Sequence, residues 1–313
     1  MTRLVLRRLT IAVPLVFIVS VLTFVLESLA PGDTARTILG TNYTPEGYAQ
    51  LHEKLGLGDP VLVQYWHWLT DAVRGDLGVS PISGLSVGSE IVNRMGVTLS
   101  LIVGTTLVSA LLGVALGVLS AVRGGRLGKA IDVFSLLGFA LPNFWLGLVL
   151  ITGLAVTVRL FPATGYVPLT ASPSEWVASL VLPVITLALG GAAAVAKQTR
   201  DSMSDALDAE YVYVLRANGA SERSLVLRHA LRNAAIPVVT VVGLLFVGLL
   251  NSTVLVEGVF AMPGLGGLAV QATTQHDLPM IQGVAVTFTI VVVIVNLLVD
   301  LLYGWLNPKV RVR

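Results

Sequence analysis

Residues 197–235 carry six Lys/Arg and five Asp/Glu in a 313-residue chain that is only 12% charged. The centre of this island reads Arg216-Ala217-Asn218-Gly219-Ala220-Ser221-Glu222-Arg223, and it closes with Arg228-His229-Ala230-Leu231-Arg232-Asn233-Ala234-Ala235-Ile236-Pro237. Side chains of both signs, nearly balanced and flanked by apolar sequence, suit recognition of another protein better than bond breaking. Asn218-Gly219 is a turn and helix C-cap signal. Ser221 is a natural N-cap for a second helix, with Glu222 complementing the positive end of its dipole. Residues 202–217 are predicted to continue helically into the turn. Beyond it, Arg228 and Arg232 stand four apart, on the stripe that also holds Ser221 and Leu225. The expected unit is helix, tight turn, helix, projecting into water. A merely solvated loop would explain the arginines, but not the balancing acids or the glycine turn.

Other chemistry is conspicuously lacking. A phosphate-cradling loop needs Gly-x-x-x-x-Gly-Lys-Ser/Thr. The nearest approach, Gly124-Gly125-Arg126-Leu127-Gly128-Lys129-Ala130, is one residue short in its glycine spacing, and Ala130 lacks the hydroxyl for magnesium. Neither His-Glu-x-x-His nor Gly-x-Ser-x-Gly occurs, against a zincin or a nucleophile-elbow hydrolase. With no cysteine, thiolate ligands, thiol nucleophiles and disulfides are excluded. His52, His67, His229 and His276 have no ligand spacing, so no metal site is expected. Within the apolar segments the carboxylates Glu27, Asp132, Glu257 and Asp300 all fall near segment ends, where snorkelling or interfacial pairing accounts for them without a proton relay.

The elements that must carry the island are membrane helices. The chain is 55% hydrophobic, with a mean hydropathy of +0.84. Six segments have the roughly 17 to 25 apolar residues that a spanning helix needs: 9–29, 97–122, 131–158, 176–196, 236–256 and 281–303. None shows strand alternation, so helices must satisfy the backbone. The first segment lacks a small-residue cleavage site and reads as a retained anchor. Six spans put both termini, the 123–129 loop and the island on one side, with fifteen of the twenty Lys/Arg. That side is predicted to be cytoplasmic. The first loop on the other side is acidic, with seven carboxylates against four bases.

That outer loop, residues 30–96, contains helix signals of its own. Thr44-Pro45-Glu46 reads as N-cap, N1 proline and first-turn acid, followed by Tyr48, Leu51 and Leu55 on one face and a stop at Gly56. Asp59-Pro60 starts another helix, whose Leu62, Trp66, Leu69 and Val73 line one stripe until Gly75. A small helical cap on the outer membrane face is expected, with Trp66 and Trp68 at the interface. Gly113-Val114-Ala115-Leu116-Gly117 would let two spans approach closely, and Pro14, Pro142 and Pro183 are candidates to kink or interrupt theirs.

The island resembles the cytoplasmic loop of ABC importer permeases, with Gly219 at the family glycine. Tyr213, Val214 and Leu215 stand where the general pattern has Glu-Ala-Ala, and His229 and Arg232 where it has Ile and Pro. Those departures resemble the dipeptide/oligopeptide branch. So do Pro31-Gly32-Asp33, Leu55-Gly56-Leu57-Gly58-Asp59-Pro60, Gly75-Asp76-Leu77-Gly78-Val79-Ser80, Leu141-Pro142-Asn143-Phe144-Trp145, Pro162-Ala163-Thr164-Gly165-Tyr166, Glu257-Gly258-Val259-Phe260-Ala261-Met262-Pro263-Gly264-Leu265-Gly266 and Asp300-Leu301-Leu302-Tyr303.

The resemblance implies an all-α, multi-pass bacterial cell-membrane protein with the type I importer permease fold, a single domain over 1–313. It would be the first of two permease subunits. It would pair with a homologous second permease, be powered by two cytoplasmic ATPase subunits from one or two gene products, and receive peptide from an extracytoplasmic binding protein. ATP and magnesium would be bound by those partners, with no cofactor in this chain, no catalysis by it and no nucleic-acid partner. Arg216 to Arg223 would be the coupling helix, with Arg228 and His229 as further contacts, and Glu257, Pro263 and Gly264 would shape an outer gate. Nickel complexes, glutathione or haem are alternative cargoes of the same architecture. A secondary, ion-coupled transporter working alone would need inverted repeats or buried charge, and a membrane-embedded enzyme would need a catalytic set; neither is evident.

Overall fold

The computed structural model describes residues 2–306, and Lys309, Arg311 and Arg313 of the orientation argument lie outside them. In chain order the helices are α1 Thr2–Leu29, α2 Thr34–Leu39, α3 Pro45–Lys54, α4 Val61–Val73, α5 Val87–Arg123, α6 Gly125–Ala140, α7 Asn143–Leu150, α8 Pro173–Leu207, α9 Glu210–Ala217, α10 Glu222–Ser224, α11 Leu231–Val259, α12 Leu265–Gln275 and α13 Leu278–Leu306. Wide π turns, Ile151–Thr157 and Leu225–Ala230, extend α7 and join α10 to α11. The only β feature among the described residues is an isolated antiparallel bridge between Val79 and Ser86.

Among the described residues five helices are long and apolar enough to cross a bilayer, and a sixth crossing requires taking α6 and α7 as one bent span. The span predicted over 131–158 is a bent one, its axis turning by 99° between the two pieces at Pro142, one of the three prolines expected to kink or interrupt a helix. Leu141 adopts an extended conformation (φ −83°, ψ 124°) ahead of Pro142. Proline crowds the helical conformation of its predecessor, which favours this geometry. Pro14 and Pro183, by contrast, lie inside continuous helices.

The chain divides into two compact units. The first, Met1–Thr2, Thr98–Met262 and Ile294–Arg313, is built around α8, whose apolar stretch is mostly buried, whereas that of α1 is mostly exposed. A helix buried over most of its surface in a membrane needs neighbours with small residues, because lipid-soluble side chains gain little from leaving lipid and dispersion contact must hold the pair. A Cβ added at Gly113 would meet the Val195 Cβ at 2.5 Å, and one at Gly117 the Thr199 Cβ at 2.5 Å. This is the close approach expected of the glycine pair, here of α5 on α8. Gly138 of α6 lets in Ala193 and the Leu189 carbonyl in the same way.

The second unit, Arg3–Val97 and Pro263–Val293, holds α1 to α4, the head of α5, α12 and the head of α13. Its core joins Val87 and Ile91 to Leu265, Leu268, Ala272, Met280 and Val284. Thr44 caps α3 by accepting from the Gly47 N–H, and Gly56 (φ +64°) and Gly75 (φ +92°) stand just past the ends of α3 and α4. All three agree with the sequence signals. Asp59 does not cap α4, whose N-cap is Pro60. Of the predicted stripe, Leu62, Trp66 and Val73 are exposed and Leu69 is half-buried, and the buried residue of α4 is Tyr65, at 8% exposure.

Candidate functional site

The charged elbow belongs to the first unit. It begins where α8 ends at Leu207: Asp208 is its C-cap and Ala209 is extended (ψ 142°), so the helix predicted to continue over 202–217 is broken there. A fresh helix, α9, starts at Glu210, whose carboxylate faces its positive end. Val212, fully buried, anchors it.

The turn that follows is a complete Schellman motif. The Gly219 N–H donates to the Arg216 carbonyl and the Ala220 N–H to the Leu215 carbonyl, capping the last free acceptors of α9. Gly219 sits at φ +84°, the left-handed region where a side chain is strained. Ser221 then caps α10 by accepting from the Ser224 N–H, as predicted. A staple the sequence reading missed closes the turn: Arg216 donates from Nε to Glu222 Oε1 at 2.6 Å and from Nη2 to Oε2 at 3.1 Å. Glu222 thus serves a specific partner as well as the dipole, and the bidentate geometry fixes the two helices against each other.

Beyond Ser224 the backbone widens into the π turn. Leu225, Ala230, Ala234 and Val238 are buried, and the five-residue step from 225 to 230 precedes ordinary steps of four. That extra residue corrects the predicted stripe. Leu225 points into the protein, whereas Ser221, Arg228 and Arg232 are exposed. Met203, Ala206, Ala230 and Ala234 form one small core, which fixes the elbow to the foot of α8. Nearby, Asn233 Nδ2 donates to the Tyr211 hydroxyl at 2.6 Å.

The elbow's outer surface is Arg216, Ala217, Asn218, Gly219, Ser221, Glu222, Arg223 and Arg228, with Ala220 and His229 half-buried. Tyr213 and Val214, 57% and 56% exposed, join it, as does Leu227. Exposed large apolar side chains among charges are the signal that could have identified them, since water gives them no reason to be there.

The predicted gate residues fall in different units. Glu257 closes on Thr98, whose hydroxyl donates to Oε1 at 2.6 Å, and its residue exposure is 1%. The carboxylate neither snorkels nor faces water, contrary to the expectation from its place near a span end. Its backbone carbonyl accepts from the Met262 N–H beside Ala261, a non-glycine at φ +49°. Pro263 and Gly264 belong to the second unit, where Gly264 is the N-cap of α12. Of the other carboxylates, Asp132 pairs with Arg200 and Glu27 with His276, the latter at 3.4 Å.

Comparison with known proteins assigns this architecture. Residues 113–312 match the family described as the binding-protein-dependent transport system inner membrane component, and residues 1–102 match its N-terminal component. A protein of Sinorhizobium fredii named as a peptide ABC transporter permease is 38% identical over 98% of each chain. A glutathione transport system permease protein of Escherichia coli is 38% identical over the whole of both chains. In three dimensions the chain is similar to an inward-facing methionine ABC transporter structure. The TM-score is 0.55, with 20% identity over 69% of this chain and 96% of that one, a likeness of fold. These relationships support an ABC importer permease and set aside the ion-coupled transporter acting alone. The chain is a multi-pass membrane protein that belongs to the family of binding-protein-dependent transport system inner membrane components.

Proposed function

We propose that this chain is the first of two permease subunits of a peptide importer, with both termini cytoplasmic and the elbow at residues 216–223 seated on an ATPase subunit. The observation that carries the reading is the construction of that elbow. Its turn is locked by backbone capping and the Arg216–Glu222 staple, and it presents Tyr213 and Val214 beside exposed charge. A rigid, partly apolar projection continuous with a membrane helix can carry closure of two ATPases into movement of the spans. The second permease, the ATPase pair that binds ATP and magnesium, and the extracytoplasmic binding protein are the partners that this role requires. Glu257, with Pro263 and Gly264, is proposed to shape the outer mouth. Peptide is the cargo suggested by the name of the Sinorhizobium relative, and glutathione, itself a small peptide, by that of the Escherichia relative.

The test is reconstitution of the chain with its partners and measurement of ATP-dependent uptake of dipeptides, longer peptides and glutathione. Gly219→Pro and Glu222→Arg are expected to abolish uptake and weaken ATPase co-purification while membrane insertion is unchanged. Wild-type uptake and co-purification in both variants would place the coupling contact elsewhere.

A further inference from the structure

We infer that α4 is not a cap standing on the membrane but a helix embedded in it, with Leu62, Trp66 and Val73 in contact with lipid acyl chains. This rests on membership of a membrane family and on the second unit alone, and so is independent of cargo and coupling.

The argument begins with depth. Tyr65 fastens α4 to α1: its hydroxyl hydrogen-bonds Ser20 Oγ at 2.8 Å, and its ring meets Phe24 and Phe17 edge-on at 5.4 and 6.3 Å. Those α1 residues lie about 8 to 18 Å below the helix end at Leu29, taking about 1.5 Å of rise per residue. The hydrocarbon core is about 30 Å thick, so this stretch of α1 is well inside it. At that level the hydroxyls of Ser20 and Tyr65 are bonded within the protein rather than to water. Ser20 Oγ also donates to the Phe17 carbonyl, and buried Gln282 of α13 donates to the Ser20 carbonyl at 2.8 Å.

The circumference of α4 then decides its surroundings. Gln64, His67 and Asp71, at i, i+3 and i+7, confine the charged and amide side chains to one narrow arc, and Thr70 turns its hydroxyl onto the His67 carbonyl. The rest of the helix is apolar, which is more than the α1 contact uses. Leu62, Trp66 and Val73 remain 80%, 63% and 81% exposed on one stripe. A cap in water would present its polar arc outward and hide this stripe. The exposed apolar positions of α1, Ile18, Leu22 and Val25, belong to the same unit and continue the same kind of surface. Acyl chains are the one occupant that suits both helices without a further protein.

Because the chain has no cysteine, single L62C, W66C, V73C, H67C and D71C variants can be spin-labelled in the full complex in lipid nanodiscs, with V25C as the lipid reference. Collision with oxygen, which concentrates in lipid, is compared with collision with a water-soluble nickel chelate. Positions 62, 66 and 73 are expected to favour oxygen as position 25 does, and the ratio to reverse at 67 and 71. Preference for nickel at 62 and 73 would put α4 in water, and protection from both reagents would mean that a protein covers it; either result overturns the inference. A label-free check is brominated phospholipid, which should quench wild-type tryptophan fluorescence more than that of Trp66→Phe. Equal quenching also counts against lipid contact.

Discussion

The bonds that fix the elbow's turn span at most six residues of sequence: Ala220 to Leu215, Ser224 to Ser221 and Arg216 to Glu222. Around the turn between α12 and α13 the partners are far apart. Ser80 donates to Asp277 across 197 residues, and Thr34 to the His276 carbonyl across 242. The first construction is finished locally and can move as a body. The second exists only when distant parts of the chain are already in place, so damage there should be felt as lost stability, whereas damage in the elbow should be felt as lost coupling.

The largest effect is expected where the second unit is packed closest. A Cβ at Gly283 would collide with Val87 Cγ1 and stand 3.1 Å from Ile91 Cδ1, both in that unit's core. Gly283→Leu should cost about 1–3 kcal/mol or more by overpacking, read as a lowered unfolding temperature of the purified chain. An equally bulky change at Gly219, where a Cβ would meet nothing within 4 Å, should stress only the backbone and leave the rest of the fold intact. Equal losses at both positions would erase the distinction.

Next in size are two carboxylates of the second unit with opposite responses to pH. Burial pushes Asp277 above its ordinary value, against the Ser80 hydroxyl and the Met280 N–H, which pull it down. Its folded form therefore favours the proton, and the stability it contributes is present at low pH and lost as pH rises through the folded value. For Asp33 burial also pushes upward, but the Tyr48 hydroxyl and the Arg36 and Ala35 N–H groups prevail and hold it below. Its contribution is present above the unfolded value and lost as pH falls. Asp277→Ala should cost about 1–3 kcal/mol through stranded partners, and Asp33→Ala about 0.5–2 kcal/mol through a lost N-cap. Unfolding temperature followed from pH 3 to 8 should show Asp33→Asn removing part of the acid loss and Asp277→Asn removing part of the alkaline one. The reverse assignment would refute the account.

What could be read from the chain follows the same division. Thr44, Gly56, Gly75, Gly219 and Ser221 were legible because a cap is settled within a few residues. The pairing of Asp277 with Ser80 was not, since nothing near either names the other. Pro14, Pro142 and Pro183 look alike in sequence, and of the three only Pro142 interrupts its helix. The π turn was hidden as well: the register of Ala230 and Ala234 follows their packing on Met203 and Ala206 of α8, which no nearby residue announces. In α4 the stripe was found and its direction missed, because a helix apolar over most of its circumference does not announce which side meets protein.

The smallest structural effect and the sharpest test of the comparison meet at Arg216 and Glu222. Both side chains are largely exposed, so water already solvates each charge, and an exposed pair adds little to folding. Glu222→Gln and Arg216→Gln should leave the unfolding temperature of the purified chain unchanged while releasing the staple across the Gly219 turn. If the elbow transmits movement as a rigid body, ATP hydrolysis by the assembled complex should persist in both variants while uptake per ATP falls, and the exchange Arg216→Glu with Glu222→Arg should restore part of that ratio. A ratio unchanged by either single substitution would assign rigidity of the turn to the Schellman bonds alone and leave the staple without a role in coupling.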